Sequence, residues 1–142
     1  MKMWKTAKVL FCMVLLLIVT VQPLAAAGKT VKLKVTFVSA KLVENNHVGN
    51  EWWSGAYVNG KELKAGGSLV LTLKPADSVK LKAKVSEQDK YPDNGEANVS
   101  VKASSVIKSM NKSLSVTVTE NRGRYSGETA TWSFSFKIEK VK

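Results

Sequence analysis

The chain has 142 residues, with 22 basic against 11 acidic side chains, a formal net charge of +11, one cysteine and one histidine. This inventory excludes a disulfide scaffold and a structural zinc site, both of which need several Cys or His side chains. It also leaves nucleophilic catalysis with a single imidazole, His47, and no Gly-x-Ser-x-Gly elbow.

The N-terminus reads as an export signal. Lys2, Lys5 and Lys8 precede an uncharged run from Val9 to Val21, and Gln22-Pro23 breaks that run. Ala25 and Ala27 then supply the small residues that a cut after Ala27 requires. The order predicts a cleaved signal peptide over residues 1–27 and one domain over residues 28–142. The apolar run is shorter than the roughly 20 residues of a spanning helix. Cys12 lies inside it, so the mature chain holds no thiol and must be stabilised by core burial.

From residue 28 onward, apolar and polar side chains alternate with period two, the pattern of half-buried strands. Val31, Leu33, Val35 and Phe37 alternate with lysine and threonine, and this strand is expected to end near Leu42, before a polar loop from Glu44 to Asn50. Asn59-Gly60, between Tyr57-Val58 and Lys61-Glu62, predicts a two-residue type I′ hairpin. Ala65-Gly66-Gly67 is the next break. Leu69, Leu71 and Leu73 form a strand closed by Pro75-Ala76-Asp77. Val79, Leu81, Ala83 and Val85 follow, interleaved with Lys80, Lys82 and Lys84. A loop is expected from Glu87 to Glu96, then a strand through Val99, Val101 and Ala103. An irregular stretch around Met110 leads into Leu114, Val116 and Val118, and a turn spans Asn121 to Gly127. Ala130, Trp132, Phe134, Phe136 and Ile138 complete the most hydrophobic face. The pattern predicts an all-β fold, a single antiparallel β-sandwich of about eight strands.

Four groups of residues are candidates for function. Glu87, Asp89 and Asp93 lie on a short stretch after a strand, where spaced carboxylates are a usual oxygen source for calcium. Trp52 and Trp53 are adjacent, so in a strand they face opposite sides and at most one enters the core. The other is a candidate stacking platform for a sugar ring. Lys80, Lys82 and Lys84 share one strand face, as do Lys32 and Lys34 on another, and neighbouring strands would merge them into one positive face. Arg122 and Arg124 flank Gly123 in a compact loop suited to an anionic group.

Two regions resemble the calcium loops of C2-type β-sandwich domains. In the first, the strand from Val31 leads into Glu44 to Asn50, with Ala56-Tyr57-Val58-Asn59-Gly60 following; the second is Glu87-Gln88-Asp89 with Asp93. The resemblance implies a sandwich with loops gathered at one end and metal-assisted surface binding. It adds Asn46 and Glu51 to the candidate calcium ligands, although Asn46 stands where that family carries an aspartate and Trp52-Trp53 occupies the region of a second first-loop acid.

The expectation is a secreted, non-enzymatic binding module for an anionic envelope polymer, a carbohydrate or a lipid surface, with calcium as an assistant. Export argues against nucleic acid as the partner. A small glycoside hydrolase using Glu87 or Asp89 as its acid is the alternative from another class, with an inhibitory or structural protein partner as a third reading.

Overall fold

A computed structural model describes residues 28–142; the expected signal peptide lies outside the described residues. Eight antiparallel strands run through it: β1 (Val31–Asn45), β2 (Trp52–Val58), β3 (Lys61–Leu63), β4 (Ser68–Leu73), β5 (Ser78–Glu87), β6 (Asp93–Lys102), β7 (Ser109–Thr119) and β8 (Thr129–Lys140). They form two four-stranded sheets, ordered β4-β1-β8-β7 and β3-β2-β5-β6. The fold is an all-β sandwich, as the alternation requires.

The period-two pattern decides which side chains enter the space between the sheets. Leu33, Val35 and Phe37 of β1 are buried there, as are Leu81, Ala83 and Val85 of β5 and Leu114, Val116 and Val118 of β7. Phe134, Phe136 and Ile138 of β8 are the largest contribution from one strand, and Phe37 packs on both phenylalanines with ring centroids 6.0 and 5.4 Å apart. Trp132 packs against this core without being sealed in it. The Asn59-Gly60 turn is a two-residue hairpin with positive φ at both residues, 47° and 83°, so Val58 pairs directly with Lys61.

Three boundaries differ from the sequence expectation. Strand β1 continues to Asn45 by pairing with β8, and two register shifts, at Phe37/Ser39 and Leu42/Glu44, carry it past the residues that look like a loop. Strand β7 starts at Ser109, because Met110 finds Ile138 opposite. The loop expected from Glu87 to Glu96 shrinks to residues 88–92, since β5 and β6 stay paired out to Glu87 opposite Asp93. The two lysine sets also part: β1 and β5 belong to different sheets, so Lys32 and Lys34 do not join Lys80, Lys82 and Lys84 on one face.

Edge strand β6 packs against β7 of the other sheet. A Cβ on Gly95 would collide with the Thr117 carbonyl oxygen, which is fixed backbone. Gly95→Ala is therefore expected to destabilise the domain by about 1–3 kcal/mol, the usual cost of overpacking a filled core. Chemical denaturation would read this as a lower midpoint with an unchanged slope.

Candidate functional site

Two regions of the sandwich gather chemistry-bearing side chains, and they differ in what their polar groups are free to do. The first is the end where the β1–β2, β5–β6 and β7–β8 loops meet. The backbone N–H of Asn46 donates to the Thr129 carbonyl at 3.0 Å, and that of Gln88 to the Glu51 carbonyl at 2.6 Å. His47 stacks on Tyr125 with centroids 4.4 Å apart and planes 9° from parallel. The Arg122 guanidinium sits 4.2 Å from the Tyr91 ring centre, and Lys90 approaches the same ring at 5.5 Å. Arg124 lies 5.6 Å from the Tyr125 ring.

Glu87 holds this end together. Its carboxylate is 1% exposed and accepts the Glu51 N–H on Oε1 at 3.1 Å and the Asp89 N–H on Oε2 at 3.3 Å. Gly49, with φ 115°, passes so close that any Cβ there would strike the same carboxylate. Asp93, opposite Glu87 in the sheet register, is 3% exposed and accepts the Asn121 side-chain amide on Oδ1 at 2.7 Å. Its Oδ2 is buried without a partner, as are the indole nitrogens of Trp52 and Trp132, whose rings meet edge to face at 5.6 Å.

The five candidate calcium ligands thus have unequal freedom. Both Glu87 oxygens are taken by backbone, Asp89 Oδ1 accepts the Tyr91 N–H at 2.7 Å, and the Asn46 amide donates to Glu44 at 3.2 Å. Glu51 is exposed and contributes its backbone to the Glu87 clamp. Among the described residues, no group of three or more His, Cys, Asp or Glu side chains is set to hold a metal ion. The burial of Glu87 also keeps a substrate from reaching it as a general acid.

The second region is the outer face of the β3-β2-β5-β6 sheet. Trp53 and Tyr57 on β2, the three lysines on β5, and Glu96, Asn98 and Ser100 on β6 all point away from the core, because each alternates with a buried or core-facing neighbour. Trp52 turns inward, so the tryptophan pair divides as expected, with Trp53 at 39% exposure outside. The Trp53 ring lies over Gly55: a Cβ there would come within 2.8 Å of Cη2 and 3.1 Å of the Tyr57 hydroxyl. Two shallow hollows mark this face. One, of about 460 Å³, is lined by Tyr57, Lys80, Lys82, Lys84, Asn98 and Ser100 among others. The other, of about 280 Å³, is lined by Trp53, Lys84, Asn94 and Glu96 among others. Lys84 borders both, and its ammonium stands 5.7 Å from the Tyr57 ring centre.

The structure therefore joins Trp53 to Lys80, Lys82 and Lys84, and leaves Arg122 and Arg124 at the loop end, each spread on a tyrosine ring. Tyr57, Asn98 and Ser100 were not singled out by sequence. Tyr57 was accessible through strand parity, since it lies four residues after Trp53 on β2 and so on the same side. The sequence matches no protein-family model and no curated protein.

The Glu87 clamp makes a direct prediction. Glu87→Gln replaces one accepting oxygen with a donor facing a backbone N–H, at an expected cost of about 1–3 kcal/mol for the buried groups left unpaired. Hydrogen exchange at the Glu51 and Asp89 amides should accelerate well beyond that of β8 core amides. Equal acceleration throughout the sandwich would show that the carboxylate is not a local clamp.

Proposed function

We propose that the protein is an exported, non-enzymatic binding module that engages an anionic polymer surface through the outer face of its β3-β2-β5-β6 sheet. The observation that carries this reading is the row of Lys80, Lys82 and Lys84 on one solvent-facing side of a rigid strand, lining a hollow beside Tyr57. Fixed cations on a sheet attract a polyanion over a Debye length, roughly 10 Å at 0.1 M salt, and release it as salt rises. The basic leader pattern and the cysteine-free domain support export, with that encounter at the cell envelope or beyond it. An envelope polymer accordingly fits the reading better than nucleic acid.

The measurement is retention on an immobilised envelope polyanion across a salt series. Wild type is expected to bind at low salt and elute as salt increases, and Lys82→Glu with Lys84→Glu is expected to lose at least tenfold in affinity while melting normally. Absence of retention at low salt would sink the electrostatic reading.

A calcium-assisted form of the same reading, in keeping with the C2-type resemblance, is favoured by one feature, the unpartnered Oδ2 of Asp93 beside Glu87. Calcium binding there requires the Asp89 loop to release Tyr91 and turn inward. Titration calorimetry is expected to show a calcium-binding heat in the wild type that Asp93→Asn abolishes. Flat traces for both proteins would remove calcium from the proposal.

A further inference from the structure

Three parallel rows of different chemistry run side by side on the outer face of the β3-β2-β5-β6 sheet. Strand β2 carries an aromatic row, Trp53 and Tyr57, and strand β5 a cationic row, Lys80, Lys82 and Lys84. Strand β6 adds a polar row, Ser100 and Asn98 opposite Lys80 and Lys82, which ends in Glu96 opposite Lys84. Strand geometry sets adjacent rows about 4.8 Å apart, and the four-residue step from Trp53 to Tyr57, like that from Lys80 to Lys84, covers about 13 Å. Each row matches a different part of one ligand.

Resting on the reading of this face as a polyanion-binding surface, we infer that its ligand is an acidic glycan, a chain of sugar rings bearing anionic substituents, laid along the strands. The apolar C–H face of a sugar ring packs on an aromatic plane, and Trp53 offers one. The benzo edge of its indole reaches over Gly55, where a side chain on that glycine would displace it, and the residue stays 39% exposed. Lys84 lies between the aromatic subsite at Trp53 and the one at Tyr57, lining both hollows. A ring seated on either aromatic therefore finds a cation on the next strand for its acidic group. Asn98 and Ser100 face the same hollow with groups that donate to and accept from sugar hydroxyls. A polyanion without rings, such as polyphosphate, uses the lysines alone. A neutral glycan uses the aromatics alone and gives no anion to Lys80 and half-buried Lys82, whose partners across β6 are Ser100 and Asn98.

The test is titration calorimetry on protein purified from expression of the full chain, with four probes: an oligogalacturonate, its methyl ester, a sulfated dextran oligomer and polyphosphate of matched charge. The carboxylate or the sulfate glycan is expected to bind at least tenfold tighter than both the methyl ester and polyphosphate, and whichever does so identifies the acid. Trp53→Ala, which removes a surface ring and should melt like wild type, is expected to weaken that glycan at least tenfold and leave polyphosphate unchanged. Polyphosphate binding as tightly as either acidic glycan, with Trp53→Ala indifferent, overturns the glycan assignment while the polyanion surface stands. Equal affinity for the methyl ester overturns the acidic requirement. No binding of any anionic probe at low salt overturns both the glycan assignment and the reading beneath it.

Discussion

Residues 28–142 contain no cysteine, so the two sheets are held by the side chains that alternate into the space between them. Phe134, Phe136 and Ile138 on β8, with Leu81, Ala83 and Val85 on β5, remove apolar surface from water at roughly 25 cal/mol per Å². A one-residue slip in any of these strands would turn its whole apolar set to solvent. The register is therefore fixed by burial. Because it is fixed, every residue of opposite parity is committed to an outer face, whatever its chemistry.

That commitment separates the two halves of the molecule's polar chemistry. On β5 the residues out of phase with the core are Lys80, Lys82 and Lys84, and on β2 they are Trp53 and Tyr57, so cation and aromatic are set beside each other by pairing alone. At the end of the same strand the phase works in the opposite sense. Glu87 continues the inward series Val79, Leu81, Ala83, Val85, and an acid at an inward position is stable only when its oxygens are satisfied. Backbone N–H groups from two loops satisfy them, which turns an unfavourable burial into a tie between the β1–β2 and β5–β6 loops. One strand thus carries an exposed row that is free to bind and a buried acid that orders the loop end.

The parts legible in the sequence were those governed by parity. Alternation gave the strand faces, the inward Phe134 and Phe136, the outward lysines and the division of Trp52 from Trp53. What the sequence concealed was governed by pairing between distant strands. Glu87 and Asp93 look like loop acids because polar residues cluster around them, but β5 and β6 remain hydrogen-bonded through both, so they are strand ends turned toward the interior. Lys32 and Lys34 look like companions of Lys80 until the sheet order puts β1 and β5 in opposite layers. Polarity reports solvent access for a residue on average; it does not report which edge a strand finds. Tyr57 belongs with the residues governed by parity, because it lies four positions after Trp53 on β2.

The lysine row has an energetic consequence that bears on how such a face works. Alternate residues on a strand are about 6.7 Å apart, and two unit charges at that separation in water repel by about 0.6 kcal/mol before screening. Among the described residues the one ion pair within 4 Å joins Lys137 to Glu139 on β8, so Glu96, opposite Lys84 in the register, is the carboxylate nearest in pairing to the lysine row but does not close an ion pair with it. The repulsion is tolerated because each aliphatic stem lies along the sheet while its ammonium reaches water. A polyanion laid along β5, as proposed, would relieve this repulsion in addition to making its own contacts. The free protein therefore stores a small, salt-dependent bias toward a multiply charged ligand over a singly charged one. Such a bias comes from spacing and parity alone, and it persists whichever acidic group the ligand carries.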